Sequence, residues 1–240
     1  MKLNHPNKTF LTLAVCALIS MPANATISYL AITNDADSGI SNTKTYTHLY
    51  DPNGPATVNG VAFTTSPANF SETAAASNGG SPNNNPAGNL GTLMQGFIFA
   101  TPGNVNPPGS SYTMTIGGLT AGTTYDLRIY SGRWDTVADR STVITFDPDG
   151  VGAISDSVTI NQNNATIVPG ESFTSDEIYY INYNYTAVTG EDLVVDFEVA
   201  NTDAATWHLY AMTNEVAVPE PSTTALLGLG GLALILRRRK

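Results

Sequence analysis

The 240-residue sequence predicts an all-β protein, an antiparallel β-sandwich placed between two terminal targeting segments. Along the middle of the chain, β-branched and aromatic residues alternate with polar ones, and Gly, Pro, Asn and Asp bound each run. Helical periodicity and internal repeats are not evident there. The middle segment of about 190 residues is long enough to bury the core of one such domain.

Eleven segments carry the strand pattern, and their number without intervening helices favours two packed sheets. They are residues 26–33, 43–50, 57–64, 93–99, 112–116, 124–131, 141–146, 155–160, 177–185, 192–199 and 206–212. The segment 77–89 is too polar and too rich in Gly and Pro for a strand, so it predicts a long mobile loop.

Two patterns specify the sandwich further. The spacing of Leu119, Gly122 and Tyr125 is typical of a tyrosine corner, in which the hydroxyl bonds back to the backbone. The strand 177–185 places an apolar, mostly aromatic set of side chains on one face, and we expect this set to pack in the core. The set is Tyr179, Ile181, Tyr183 and Tyr185.

The first 25 residues predict a secretory signal peptide. A positively charged start precedes an apolar stretch at residues 10–19, and a small-residue pattern ends at Ala25. We expect cleavage between Ala25 and Thr26. The only cysteine, Cys16, lies in the apolar stretch, so the mature chain has no thiol for a disulfide or a thiolate metal site.

The C-terminal residues carry a second targeting signal in three parts. The first is an extended, exposed motif, because its prolines fix φ and withhold two backbone donors. It consists of Val218, Pro219, Glu220, Pro221 and Ser222. An apolar transmembrane helix is predicted at 223–236; residues 222–236 extend about 22 Å as a helix, which is short for a hydrocarbon core of about 30 Å. A basic stop on the cytoplasmic side follows. It consists of Arg237, Arg238, Arg239 and Lys240.

Residues 218–240 resemble the PEP-CTERM sorting signal of Gram-negative, exopolysaccharide-forming bacteria. The resemblance implies that an exosortase-type enzyme processes the protein. The C-terminal helix would then anchor it in the inner membrane only transiently, before it reaches the cell envelope or extracellular matrix. Three domains follow: a signal peptide at 1–25, an ectodomain at 26–216 and a sorting segment at 217–240.

The ectodomain is similar to β-sandwich domains often attached to such tails. The similarity rests on residues 56–63, 118–125, 139–140 and 207–215. It implies a galactose-binding or malectin-like jelly roll, and it implies a fold more than a ligand.

The ectodomain is strongly acidic, with four cationic side chains against nineteen acidic ones, a formal charge of −15. Nucleic acid and anionic membranes are therefore not expected partners. Its histidines, His48 and His208, lie in no recognisable catalytic motif, so we expect a protein that is not an enzyme. A glycoside hydrolase or lyase that uses two of the carboxylates is a less favoured alternative.

No cofactor is expected, and Ca²⁺ is the one ion that a motif could bind. Asp147 and Asp149 offer oxygen ligands within Asp-Pro-Asp-Gly. The motif lacks the later bidentate Glu of an EF-hand, however, and is typical of an ordinary turn. The sequence therefore predicts no metal site, with these two acids as weak candidates.

The best binding candidate is the segment 130–140, which holds two of the four cations and one of the two tryptophans of the ectodomain. Its candidate ligand-binding residues are Arg133, Trp134, Asp135 and Arg140. An indole on a loop can stack on a sugar while Arg and Asp bond to its hydroxyls. An Arg-Asp brace over a buried indole is the structural alternative, and we expect Trp207 to lie in the core.

The sequence thus predicts an exported, non-catalytic protein that binds carbohydrate, in this setting extracellular polysaccharide. The alternative is a structural surface or matrix protein without a small ligand, which the many strands able to form sheet edges favour.

Overall fold

The computed structural model describes residues 25–73, 75–99, 109–134, 140–161, 177–200 and 206–218. The first strands are β1 (Thr26–Ile32), β2 (Tyr46–Tyr50), β3 (Thr57–Val58), β4 (Val61–Ala62), β5 (Phe70–Glu72) and β6 (Ala76–Asn78). One helical turn, α1 (Asn89–Leu93), precedes β7 (Phe97–Phe99). The remaining strands are β8 (Ser111–Ile116), β9 (Thr124–Ser131), β10 (Ser141–Asp147), β11 (Asp156–Asn161), β12 (Ile178–Thr186), β13 (Leu193–Val199) and β14 (Ala211–Val216).

Two five-stranded antiparallel sheets form a jelly-roll-like β-sandwich, which confirms the predicted fold class. Sheet 1 has the order β1-β12-β9-β14-β2, and sheet 2 has the order β11-β10-β13-β8-β5. Two small ribbons, β3-β4 and β6-β7, lie outside these sheets. Within the described ranges, no helix is long and apolar enough to cross a membrane.

The main core lies between the two sheets. The aromatic stripe of β12 is buried there, as predicted, and Trp207 packs against Tyr112 and Phe197 at ring-centroid distances of 5.9 and 5.7 Å. The backbone N–H of Thr120 donates a 2.9 Å hydrogen bond to the Tyr125 hydroxyl, so the predicted tyrosine corner is confirmed. This bond fastens the turn between β8 and β9 to the sandwich.

A second core covers part of the outer face of sheet 1. Loop residues, the β3-β4 ribbon and α1 pack there against Tyr130, Tyr180 and Tyr210. Strand β14 is therefore buried on both faces along nearly its whole length. Its side chains cannot show the alternation of polar and apolar residues that a half-exposed strand shows.

The register of sheet 1 defines two ends of the sandwich. At one end, which we call the tail end, β1 starts at Thr26, β9 starts at Thr124 and β14 finishes at Val216. At the other end, which we call the loop end, β1 finishes at Ile32 and β9 finishes at Ser131. The candidate binding segment follows β9 and so lies at the loop end.

Several predicted strands differ from the observed elements. Residues 93–99 were expected to form one strand, but they divide between α1 and β7, because Leu93 and Met94 pack into the second core from a helical turn. Residues 57–64 were also expected to form one strand, but 57–62 form the β3-β4 hairpin, whose turn needs the positive φ of Asn59 and Gly60. The last strand starts at Ala211, later than the predicted residue 206.

The predicted mobile loop is fastened at several points. Its first residues, 77 and 78, belong to β6, and the rest returns along the loop end. The N–H of Asn83 bonds to the Arg133 carbonyl at 2.7 Å, and the N–H of Ala87 bonds to the Thr33 carbonyl at 2.9 Å. Polar composition identified the loop correctly but could not show these backbone partners.

Two targeting predictions lie outside the described residues. They are the signal peptide up to residue 24 and the C-terminal segment from Pro219 to Lys240. The predicted cleavage point between Ala25 and Thr26 falls where β1 begins. The three-domain division stays a prediction.

Candidate functional site

Trp134 stands at the loop end of sheet 1, three residues after β9. Its side chain is 36% exposed, and it is the one aromatic among the exposed large apolar side chains of the described chain. Gly132 allows the backbone to leave the sheet close to β12, since a Cβ there would lie 2.5 Å from Cδ1 of Ile178. The end of β9 therefore places the Trp134 indole at the surface of the loop end.

Buried rings support the indole from within the protein. The Trp134 and Phe97 ring centroids are 5.4 Å apart, and His208 meets the indole edge-on at 6.2 Å. Phe97 also packs against His208 at 4.3 Å and Tyr210 at 5.2 Å. Such tilted and edge-on contacts fix an aromatic side chain, so a partly exposed indole is held in one place.

The glycine-rich loop at residues 79–88 closes on the edge of the indole. A Cβ on Gly80 would overlap Nε1 of Trp134 and lie 2.8 Å from Cδ1, whereas a Cβ on Gly79 would meet no atom within 4 Å. The peptide of Gly80 is itself fixed, because its N–H donates to Asn78 Oδ1 at 2.9 Å. The position of the indole thus depends on a glycine far away in sequence.

A pocket of about 360 Å³ opens beside this segment, between the end of β1, the start of β12 and the loop. It is lined by Ala31, Ile32, Thr33, Asn84, Asn85, Pro86, Glu177 and Ile178. Gly132 links it to the Trp134 segment, because a Cβ at Gly132 would contact both Ile178 and Pro82. Amide, hydroxyl and carboxylate groups in a partly apolar pocket suit a ligand that carries many hydroxyls.

The other predicted ligand-binding residues within the described ranges are not exposed beside the indole in the way that Trp134 is. Arg133 precedes the indole, and its carbonyl holds the loop through Asn83. Arg140 is only 6% exposed, and its Nη1 donates a 2.7 Å hydrogen bond to the Thr206 carbonyl. This geometry is that of a structural brace at the start of β10. Asp135 lies outside the described residues. The assignment of these residues to a ligand stays a prediction.

Asp147 and Asp149 lie in the turn between β10 and β11. Their carboxylates accept backbone N–H groups of the same turn, from Gly152 to Asp147 at 2.8 Å and from Val151 to Asp149 at 3.3 Å. Burial and a hydrogen bond between the two carboxyls raise the pKa of Asp147, and the same bond lowers the pKa of Asp149. No group of three metal-ligating side chains occurs among the residues that the structure describes. Calcium binding by this turn stays a prediction.

Both histidines of the ectodomain are buried side chains. His48 lies on β2, and burial lowers its pKa below the usual value. His208 belongs to the ring cluster behind Trp134.

The sequence indicated Trp134 but missed Phe97, Gly80 and His208, because these residues come from separate parts of the chain and carry no common motif.

Three solved structures show limited similarity to the chain. The CBM22-1–GH10 modules of Clostridium thermocellum endo-1,4-β-D-xylanase 10B, complexed with xylohexaose, match with a TM-score of 0.41 and 10% identity over 74% of this chain and 29% of that one. The enzymatically active domain of bacteriophage CBA120 tailspike protein 4 matches with a TM-score of 0.37 and 12% identity over 62% and 20%. A Xyl-CBM35 in complex with a glucuronic acid-containing disaccharide matches with a TM-score of 0.33 and 12% identity over 72% and 99%.

The chain thus spans less than a third of the first two structures. No curated protein matches the sequence.

The C-terminal segment matches a family. Residues 217–240 match the PEP-CTERM protein-sorting motif, in agreement with the predicted boundaries. This motif marks proteins that are exported and sorted by exosortase to the cell envelope or extracellular space. The chain is therefore an exported β-sandwich that its C-terminus anchors transiently in a membrane, and exosortase is its processing partner.

Proposed function

We propose that the ectodomain binds extracellular polysaccharide at the loop end and does not cleave it. The observation that carries the proposal is the Trp134 indole, partly exposed and fixed by Phe97, His208 and Gly80. A partly exposed indole that its neighbours hold in place offers a flat apolar surface on which a ligand can stack without first ordering the side chain. A sugar ring offers an apolar face of suitable size, and its hydroxyls suit the neighbouring polar groups.

The pocket supports the same ligand class. It is large enough for a sugar unit; its amides, Asn84 and Asn85, lie on the loop that also touches the indole, and its carboxylate, Glu177, immediately precedes β12. Its described lining contains a single carboxylate, Glu177. Hydrolysis of a glycosidic bond commonly uses two, one on each side of the bond. The arrangement favours binding over cleavage.

Calorimetry with polysaccharides selected on a glycan array tests the proposal, using the parent ectodomain and Trp134→Ala. Losing one apolar stacking contact costs about 1.5–3 kcal/mol, so we expect about 10- to 150-fold weaker binding. Ile154→Ala is the matched control, because it removes an exposed apolar side chain in the turn between β10 and β11, outside the candidate site. Absence of array binding, or equal affinity of the Trp134→Ala variant, would falsify the proposal.

The structural alternative rests on the outer edge of β1. In the described chain, β1 pairs only with β12, and residues 25–33 carry no charge. Leu30 on this strand is 47% exposed. An uncharged edge can pair with another chain, and charged side chains usually prevent such pairing. If the protein builds a coat by this edge, Leu30→Lys would abolish its self-association in sedimentation experiments and leave glycan binding unchanged.

A further inference from the structure

The anchored C-terminus leaves the sandwich at the tail end. The N–H of Val216 donates to the Thr45 carbonyl at 2.8 Å, and the N–H of Ala217 donates to the Thr124 carbonyl at 2.9 Å. The sorting segment therefore begins beside the starts of β2 and β9. The predicted mature N-terminus, Thr26, is at the same end, three strand spacings or about 14 Å away.

The loop end is far from this point. Strand β9 has eight residues, which span about 26 Å at about 3.3 Å per residue. The six residues 217–222 between β14 and the predicted helix reach at most about 22 Å when fully extended. Turning the loop end towards the bilayer would require the whole of this connection to run back along the sheet. A tail-end-down orientation requires no such path.

Apolar side chains at the tail end fit this orientation. Strand β12 finishes at the tail end, where Thr186 pairs with Thr124, and β13 starts there after a short turn. The hairpin between β10 and β11 projects at the same end, because Asp147 at the end of β10 pairs with Val194 at the start of β13. Val151 and Ile154 on this hairpin are 74% and 52% exposed. Val218, at the start of the sorting motif, is also exposed. Three of the five exposed large apolar side chains in the described chain thus lie at the end from which the anchor leaves.

We propose that the hairpin carrying Val151 and Ile154 rests on the bilayer surface while the protein is anchored, so that Trp134 points away from the membrane. The ligand is the lipid surface itself, contacted through apolar side chains and not through charge, because the acidic ectodomain is not attracted to anionic headgroups. Two such side chains bind a bilayer weakly, but the short connection to the anchor supplies a high local concentration. A consequence that rests on the proposed function is that polysaccharide binding does not require removal of the tail.

Fluorescence quenching in nanodiscs tests the orientation. The mature chain with its tail contains no cysteine, so single probes are placed at Ala153→Cys in the hairpin and at Ala87→Cys in the loop at the other end. Both alanines are exposed. With spin-labelled phosphatidylcholine as the quencher, we expect at least three-fold stronger quenching at position 153 than at 87. Equal quenching, or stronger quenching at 87, overturns the proposal.

Paired variants test the role of the hairpin. Val151→Ser with Ile154→Ser is expected to reduce the quenching at position 153 at least two-fold, whereas Leu30→Ser, which alters an exposed apolar residue of β1, is expected to leave it unchanged. No change in the double variant would show that the hairpin does not contact lipid.

Binding of array-selected polysaccharide separates this inference from the proposed function. We expect the anchored protein and the tail-less ectodomain to bind with affinities within two-fold of each other. If only the tail-less form binds, the orientation is wrong and the proposed function stands. If neither form binds, the proposed function is wrong, and the quenching alone decides the orientation.

Discussion

Replacing Gly80 with alanine is expected to displace the Trp134 indole and weaken polysaccharide binding, whereas replacing Gly79 is expected to do neither. A Cβ on Gly80 overlaps Nε1 and lies 2.8 Å from Cδ1, which is closer than non-bonded carbon atoms pack. A Cβ on Gly79 meets no atom within 4 Å. The two variants add the same methyl group to neighbouring loop residues, so Gly79→Ala controls for the reduced flexibility of the backbone.

The expected magnitude follows from the contacts of the indole. Because the side chain is partly exposed, it can rotate outwards, and the overlap then costs its ring contacts with Phe97 and His208. Each aromatic contact contributes about 0.5–1.5 kcal/mol, so Gly80→Ala should lose about 1–3 kcal/mol of unfolding free energy. In a domain of this size, that loss lowers the melting temperature by roughly 2–12 °C. A displaced stacking surface should weaken binding at least ten-fold.

Tryptophan fluorescence and calorimetry measure the two effects. The mature chain has two tryptophans, and the buried Trp207 gives a constant blue-shifted emission. Gly80→Ala should add a red-shifted component from a more exposed Trp134, and Gly79→Ala should match the parent. If Gly80→Ala keeps the parent emission and affinity, or if Gly79→Ala changes both to the same extent, the indole is not positioned as described.

The remaining predictions concern stability. Burial raises the pKa of Asp51 to about 6, so the folded state retains a proton that the unfolded state loses, and stability falls as the pH rises from about 4 to 6. Asp51→Asn should remove that fall. At pH 7.5 the variant should be about 1–2 kcal/mol more stable than the parent, as measured in thermal melts. Glu215→Gln should cost about 3 kcal/mol or more in denaturant titrations, because it leaves the buried Arg128 without the carboxylate that it contacts at 2.6 Å. Lys44→Gln, which removes the half-exposed partner of the same carboxylate, should cost about 1 kcal/mol or less; a larger loss than for Glu215→Gln would contradict this ranking. Tyr125→Phe should cost about 1 kcal/mol through the lost hydrogen bond at the tyrosine corner, and an unchanged melting temperature would show that this bond contributes nothing.

Local signals in the sequence predicted the half-buried strands well. Strand β9 was predicted with its observed bounds, and the β12 stripe and the tyrosine corner were predicted with their observed contacts. These features depend on alternation and on turn chemistry within a few residues. The last strand was predicted about five residues too early in the sequence. Because β14 is covered on both faces, the apolar residues before it, such as Leu209, have the same character as those within it.

The candidate site was predictable only in part. The scarcity of Arg and Trp drew attention to Arg133 and Trp134, and the structure places the indole at the surface. What fixes the indole could not be predicted, because Gly80, Phe97 and His208 reach it from three different loops and strands. Contacts of this kind depend on tertiary packing, and a short sequence window does not contain that information.

The position of β14 has a consequence for how the protein is made. This strand occupies the interior of sheet 1, between β9 and β2, although it is the last strand before the sorting segment. A chain exported from its N-terminus cannot close sheet 1 until Val216 has emerged from the membrane. Pairing of β2 with a strand near the opposite end of the chain also makes folding slow, since long loops must close first. Completion of the domain therefore coincides with arrival of the anchor, and a chain that ends before Ala211 should remain unfolded and sensitive to proteases.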